Sequence, residues 1–238
     1  MIITEEIEYN DNDTICRGFL AYDSNGIKPM PAIMIAHDWT GRGPAACDKA
    51  RQLAHLGYVA FAIDMFGEAQ LGHDNVQRRA LITPLIQNRQ ALVTRIRAAF
   101  DLLHQLPRVD NKKIAAIGYC FGGLCVLDLA RASVNLQGAV SFHGLLSAPS
   151  EAIFEYFPSK ILILHGHDDP LVPPEQVRQF ELEMTTRKVD WQIHAYGLTT
   201  HSFTNPQAND PEMGLRYNER ADHRSWQSTE LFLKEVLR

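Results

Sequence analysis

Apolar residues along this chain fall into short, nearly continuous blocks separated by longer stretches in which apolar positions recur every three or four residues. The short blocks are bounded by turn residues and predict β-strands, several of them buried on both faces. The predicted strands span 3–9, 14–22, 32–36, 58–63, 114–117, 138–142, 161–164 and 191–196. The first two form an expected antiparallel pair at one edge of a sheet.

The longer stretches predict amphipathic helices between these strands. One helix ends before Gly57, a helical region after 63 is expected to break near Pro84, and its second part ends before Pro107. Further helices are predicted over 121–132, near 175–184 and through the apolar positions 226, 229, 233 and 236. This alternation predicts an α/β fold in which a mostly parallel central sheet carries helices on both faces. Residues 1–238 contain no internal repeat or linker, so a single domain is expected.

Composition limits the classes of partner. A chain of 238 residues with 45% apolar content can form one well-buried domain. The net charge of −5 comes from 23 basic and 28 acidic residues without long runs of either sign, so no nucleic-acid partner is predicted. No apolar stretch approaches the ~20 residues that cross a bilayer, and no secretory signal is visible, so no membrane partner is predicted either. The expected partner is therefore a small-molecule substrate. The sequence indicates no particular oligomeric state.

The cysteines indicate a reducing compartment. The chain has four of them, Cys16, Cys47, Cys120 and Cys125, without a Cys-x-x-Cys pair, zinc-like spacing or a dense disulfide framework. The simplest interpretation is reduced thiols in a cytoplasmic protein, with no metal site.

The segment Gly118-Tyr119-Cys120-Phe121-Gly122 lies between a predicted strand and a predicted helix. It matches the Gly-x-nucleophile-x-Gly pattern, with cysteine in the serine position. A strand that turns directly into a helix strains the central residue, and the residues two before and two after it need to lack side chains. The partial positive charge at the helix N-terminus favours a thiolate and a developing oxyanion. The pattern predicts that Cys120 is a nucleophile, whereas Cys125 is expected in the core.

Such a nucleophile requires a base and a carboxylate that orients the base. In α/β-hydrolases these follow the nucleophile in the order acid, then histidine. The strand at 161–164 is followed by two adjacent candidates, Asp168 and Asp169. We prefer Asp169 because Gly-x-x-Asp-x-x-Val-Pro is the recurrent form, and Asp168 is the alternative. His201 follows the last predicted strand and is the expected base.

Acyl transfer also requires N–H groups directed at the charged oxygen of the tetrahedral intermediate. One predicted donor is the backbone of Phe121, directly after the nucleophile. The second is expected from the loop after the first buried strand, and the backbone of Trp39 is our choice. The aromatic residues Trp39, Phe66, Phe203 and Tyr217 are candidates for the walls of the substrate pocket.

The chain resembles the dienelactone hydrolase family of α/β-hydrolases. The similar segments are Gly-Tyr-Cys-Phe-Gly-Gly at 118–123, Gly-His-Asp-Asp-Pro-Leu-Val-Pro at 166–173, His-Ser-Phe at 201–203 and Ala-His-Asp-Trp-Thr-Gly at 36–41. The resemblance implies a Cys-His-Asp triad, no metal or organic cofactor, and a cyclic enol-lactone or similar activated ester as substrate.

Two positions differ from the founding members of that family. Those enzymes carry a Glu that contacts the resting thiol, and Asp38 occupies the corresponding position here, which makes it a candidate for activating the thiol. They also hold the dienelactone carboxylate with an arginine shortly after His-Ser-Phe, whereas this chain has Thr-Asn-Pro at 204–206. Dienelactone itself is therefore not assigned as the substrate. Arg78, Arg79 and Arg89 are alternative cations, although solvated helix residues are the favoured interpretation.

Two competing functions are consistent with part of this pattern. Class I glutamine amidotransferases use a similar cysteine elbow but pair it with His-x-Glu, whereas His201 is followed by Ser202-Phe203. A protein of the same fold that binds a ligand without converting it is the second alternative. The intact nucleophile, acid and base favour an ester or lactone hydrolase.

Overall fold

The computed structural model describes residues 1–26, 29–149 and 157–238. Its strands are β1 (Ile2–Asp11), β2 (Thr14–Asp23), β3 (Met30–Ala36), β4 (Val59–Ile63), β5 (Val109–Tyr119), β6 (Gly138–Phe142), β7 (Lys160–Gly166), β8 (Trp191–Tyr196), β9 (Asn209–Asp210) and β10 (Leu215–Arg216). Its helices are α1 (Pro44–His55), α2 (Asn75–Gln87), α3 (Arg89–Gln105), α4 (Phe121–Arg131), α5 (Pro174–Thr186) and α6 (Glu219–Val236).

Eight of these strands form one sheet in the order β1-β2-β4-β3-β5-β6-β7-β8. The pairs β1–β2 and β2–β4 are antiparallel, and every pair from β4 to β8 is parallel. The expected antiparallel pair at one edge is therefore confirmed. Because the parallel strands all end at the same edge of the sheet, the loops that follow β3, β5, β6, β7 and β8 meet there.

Helices cover both faces of the sheet. On one face the core includes apolar residues of α3, α4 and α5, such as Ile96, Leu124 and Phe180. On the other face, α1 and α6 contribute residues such as Leu53 and Leu233. Alternate residues of each central strand point into the two cores, so both faces of the sheet are buried from solvent. The α/β fold predicted from the alternating pattern is confirmed, whereas a single domain over 1–238 stays a prediction.

One predicted boundary is wrong. Helix α2 continues through Pro84 to Gln87, and the break falls at Asn88 instead. Asn88 leaves helical geometry with φ −120° and ψ 84°, and its side chain accepts a hydrogen bond from the N–H of Ala91 at 3.0 Å. It therefore ends α2 and caps the N-terminus of α3.

The pairing of β9 with β10 was not predicted. Each of these strands has two residues, which is too short for a periodic sequence signal. In the ranges that the structure describes, no helix is long and apolar enough to cross a membrane.

Candidate active site

Cys120 lies between the end of β5 and the start of α4, with φ 53° and ψ −115°. A positive φ is strained for a residue with a side chain, and such strain concentrates at functional sites. The N–H of Cys120 donates to the carbonyl oxygen of Phe142 at 2.9 Å, which ties the turn to β6. The predicted strand-to-helix elbow is therefore present, and its thiol is half-buried.

The two flanking glycines are required by close backbone contacts. A Cβ on Gly118 would lie 2.0 Å from the carbonyl oxygen of Gly122. A Cβ on Gly122 would lie 2.1 Å from the carbonyl oxygen of Ala36, at the end of β3. The loop that follows β3 therefore starts directly against the first turn of α4.

We expect Gly122→Ala to lower the free energy of unfolding by about 3 kcal/mol, because neither backbone segment can move away without disturbing the sheet. Urea denaturation measures this change. Gly43→Ala is the matched control, because its added Cβ would meet its nearest neighbour at 3.6 Å, and it should cost less than about 1 kcal/mol. Equal stability of the two variants would contradict the close approach at Gly122.

Three predicted residues from separate strand ends meet at this elbow. The Nε2 atom of His201 lies 3.1 Å from Cys120 Sγ, and its Nδ1 atom lies 2.7 Å from Asp169 Oδ2. The other carboxylate oxygen of Asp169 accepts a hydrogen bond from the N–H of Leu171 at 2.9 Å. Asp169 is 3% exposed and His201 is 1% exposed, so water does not compete for these hydrogen bonds. Asp168, the alternative acid, is exposed.

The charges around His201 favour its protonated form. Burial alone lowers the pKa of His201, but the negative charge of Cys120 and the hydrogen bonds with Asp169 and Cys120 raise it to about 10. The imidazole therefore keeps a proton on each nitrogen at neutral pH while the thiolate is present. Asp169 fixes the Nδ1 proton, so the Nε2 proton faces the sulfur.

The loop after β3 lies beside the elbow and is held by His37. The His37 ring contacts the carbonyl oxygen of Asp38 through Nδ1 at 2.6 Å, and its Nε2 accepts from the N–H of Met65 at 3.2 Å. Burial lowers the pKa of His37, which agrees with a neutral ring that both donates and accepts. Within the described part of the chain, the N–H groups of Trp39 and Phe121 have no hydrogen-bond partner.

The carboxylate of Asp38 is directed at its own loop. Its Oδ1 atom accepts from the N–H of Thr40 at 2.8 Å and from the Thr40 hydroxyl at 2.5 Å. The Cys120 thiol contacts His201 instead. The thiol-activating role of Asp38 stays a prediction that no contact in this structure supports.

The aromatic candidates separate into different environments. Phe66 packs against the rings of His37 and Phe121, at centroid distances of 4.6 and 5.8 Å, and so lies beside the elbow. Phe203 is 0% exposed, so its assignment to the pocket wall is wrong and it belongs to the core. Tyr217 lines a surface depression with Lys49 and Trp226, between α1 and α6.

The candidate cations also differ. Arg89, which is partly buried, forms a two-point ion pair with the buried Asp128 in α4, so its charge is already paired. Arg78 lies over the Trp39 ring, with its guanidinium carbon 5.5 Å from the ring centroid. Arg79 is exposed on α2. Arg78 is therefore the cation of the three that the structure associates with the loop beside the elbow.

The sequence interpretation missed a second histidine at the site. His143 directly follows β6 and its ring lies 5.0 Å from the ring of His201. Its position at the carboxyl end of a parallel strand was the signal that could have identified it.

The described residues contain no group of metal ligands. Over 1–26, 29–149 and 157–238, no three His, Cys, Asp or Glu residues lie together so that they could hold a metal ion.

A strained elbow at the carboxyl edge of a parallel sheet, with an acid and a histidine after later strands, defines a protein of the α/β-hydrolase fold. The chain belongs to the dienelactone hydrolase family, whose family model matches residues 16–237. The resemblance noted in the sequence is thereby confirmed.

Solved structures and curated sequences agree with this membership. The chain is 35% identical to a dienelactone hydrolase-like promiscuous phosphotriesterase, P91, from metagenomic libraries, with a TM-score of 0.95 over 100% of this chain and 99% of that one. It is 36% identical to the structure named m3DLH, with a TM-score of 0.94 and the same coverage. A carboxymethylenebutenolidase homolog of Xenopus tropicalis is 28% identical over 75% of this chain and 72% of that protein. Together these findings support a carboxylic-ester hydrolase.

Proposed function

We propose that the chain hydrolyses a small-molecule ester or lactone through Cys120 as nucleophile, His201 as base and Asp169 as the residue that orients the base. The observation that carries this proposal is the continuous line of contacts from carboxylate to imidazole to sulfur, at 2.7 and 3.1 Å, at a strained elbow. A cytoplasmic location, predicted from the cysteines, is part of the same proposal.

In the first step, the thiolate sulfur of Cys120 bonds to the substrate carbonyl carbon, and the carbonyl electron pair moves onto oxygen. The N–H groups of Phe121 and Trp39 are the proposed donors to this oxyanion. The N-terminus of α4 adds its partial positive charge at the same place. Loss of one such donor typically lowers the rate by ~10²–10³.

In the second step, the tetrahedral intermediate collapses and the bond to the leaving oxygen breaks. His201 gives its Nε2 proton to the departing alkoxide or enolate, which leaves a thioester on Cys120 and a neutral imidazole. That imidazole then takes a proton from a water molecule, which attacks the thioester and releases the carboxylic acid. The departing sulfur and the protonated His201 restore the starting ion pair.

A carboxylate on the substrate is compatible with the loop beside the elbow. Arg78 is held over Trp39, and its guanidinium also donates to the backbone carbonyl oxygen of Gly72 at 3.0 Å. A guanidinium binds carboxylates well because its N–H groups match the two carboxylate oxygens. We therefore infer that Arg78 favours anionic esters over neutral ones.

A phosphotriester is a second candidate substrate class. The 35% identity to a promiscuous phosphotriesterase extends over the whole chain, which supports this candidate. The same sulfur would attack phosphorus, and the same N–H groups would bind the phosphoryl oxygen. An amidotransferase is less well supported, because the acid on His201 comes from Asp169 after β7 rather than from a Glu close behind the histidine.

We expect His201→Ala to lower kcat/KM for p-nitrophenyl acetate by about 10²–10⁴, because His201 is the base that contacts Cys120 Sγ in the described part of the chain. His167→Ala is the matched control, since His167 is exposed and comes just before the same acid loop. Wild-type activity of His201→Ala would exclude His201 as the base. A similar loss in His167→Ala would show that the effect does not depend on the contact with sulfur.

A further inference from the structure

His143 is a buried histidine that the proposed reaction does not use. It follows β6 directly and has a φ of 40°, which is strained for a residue with a ring. Its N–H donates to the carbonyl oxygen of Leu164 at 2.9 Å, so the residue is anchored between the ends of β6 and β7. The residue is 3% exposed.

The His143 ring connects the sheet to the loop that carries His201. Its Nε2 atom lies 2.8 Å from the Thr204 hydroxyl oxygen. Its ring also meets the rings of His201 and Phe203 edge-on, at centroid distances of 5.0 and 5.1 Å. Between His201 and Thr204 the backbone makes a turn in which Ser202 has a φ of 57°. This short, strained turn is therefore fixed at one end by Asp169 and at the other by His143.

A histidine at position 143 is energetically less favourable than an apolar residue would be if the side chain only filled space. Within the described residues, the buried Nδ1 atom of His143 has no hydrogen-bond partner. Buried polar atoms are normally paired, so an apolar ring would fill the same volume at lower cost. What histidine adds is the hydrogen bond to Thr204 and a neutral polar ring against His201.

The ring of His143 stays neutral next to a protonated His201. Burial, and then the positive charge of His201, lower the pKa of His143 well below its usual value. The other titratable group packed against this ring is Tyr119, at a centroid distance of 6.3 Å, and burial raises its pKa. His143, which contacts His201 on this side, therefore carries no charge that would oppose the protonation of His201.

We propose that His143 is a positioning residue, which acts through Thr204 to hold the His201 imidazole against the sulfur of Cys120. This inference rests on the proposed function, since it assigns a second support to the same base. Asp169 fixes one nitrogen of His201, and the His143–Thr204 hydrogen bond fixes the turn from which the ring projects. Both are needed because the ring must keep its contact with sulfur while the acyl group forms and leaves.

The test compares Thr204→Val with Thr204→Ser. Valine keeps the shape of threonine but removes the hydroxyl, whereas serine keeps the hydroxyl. We expect Thr204→Val to lower kcat for p-nitrophenyl acetate by about 10–100-fold with little change in KM, because the base is displaced while the pocket is intact. Thr204→Ser should stay within about 3-fold of the wild type. His143→Phe should resemble Thr204→Val.

A second readout separates positioning from general structural damage. The rate of Cys120 alkylation by iodoacetamide is measured against pH in each folded variant. In Thr204→Val the rise in this rate should move to higher pH, because a displaced imidazolium no longer stabilises the thiolate. In Thr204→Ser the profile should match that of the wild type.

The two proposals fail in different ways. If Thr204→Val keeps the wild-type kcat and alkylation profile while Cys120→Ala is inactive, the positioning role is overturned and the proposed function stands. If Thr204→Val loses stability and activity but keeps the alkylation profile, the role is structural and the inference is also overturned. If Cys120→Ala is fully active, both proposals fail.

Discussion

Replacing Cys120 with alanine is expected to lower kcat/KM for p-nitrophenyl acetate by about 10⁴-fold or more, as loss of the nucleophile does in other triad hydrolases. The reason is geometric. The half-buried sulfur of Cys120 lies within 3.1 Å of a base, at the edge of the sheet where the loops converge. Alanine keeps the strained backbone position occupied by a small side chain, so the elbow should persist while its chemistry is lost.

Cys125→Ala is the matched control for this change. Cys125 lies in α4, which starts directly after Cys120, is fully buried, and has a pKa that burial raises well above its usual value. Its replacement should leave kcat/KM unchanged, and iodoacetamide should inactivate the wild type and Cys125→Ala equally. Full activity of Cys120→Ala would rule out a cysteine-dependent mechanism.

The same pair of variants distinguishes the competing functions. A phosphotriesterase activity at this site requires that Cys120→Ala loses hydrolysis of diethyl p-nitrophenyl phosphate together with that of the carboxylic ester. A protein that only binds its ligand would release no p-nitrophenol in a thiol-dependent way, in the wild type or in Cys125→Ala. An amidotransferase would show glutaminase activity that depends on Cys120.

The parts of the site that the sequence could predict are those with a local physical cause. A strand that turns directly into a helix needs glycines around its central residue, so Cys120 is visible in five residues of sequence. The acid and the histidine could be placed because each follows a parallel strand, β7 or β8, and the sheet brings both strand ends to the same edge. The alternation of apolar blocks and amphipathic stretches also predicted the fold, and with it the strand ends at which these residues lie.

The parts that could not be predicted depend on side-chain direction and burial. Phe203 comes two residues after His201 and looks like a pocket residue in sequence, but the turn at Ser202 directs it into the core. Asp38 has the right position for activating a thiol, yet its short side chain closes a turn onto Thr40. The sequence around His143 does not distinguish it from any other polar residue after a strand. Its hydrogen bond with Thr204 joins residues 61 positions apart in the chain, so the contact depends on a distant turn.

The choice between Asp168 and Asp169 gives the second prediction with a large expected effect. Asp169→Asn should lower kcat/KM by about 10³–10⁴, because an amide can donate to Nδ1 and so favours the wrong tautomer of His201. Asp168→Asn is a matched control with the same chemical change one residue away, and it should remain near the wild type because its carboxylate is exposed. A larger loss in Asp168→Asn than in Asp169→Asn would reverse the assignment.

The pH dependence of kcat/KM in Asp169→Asn tests the same assignment independently, through the direction in which its alkaline limb shifts. The carboxylate of Asp169 stabilises the protonated imidazole, so its removal lowers the pKa of His201 from about 10. The alkaline limb of kcat/KM reports loss of the His201 proton that the leaving group needs, and it should lie near pH 10 in the wild type and at lower pH in the variant. Because Asp168→Asn removes a charge from solvent, its limb should not move. A limb that shifts upward in Asp169→Asn would mean that the carboxylate does not support the cation, and the roles assigned to the three residues would have to be redistributed.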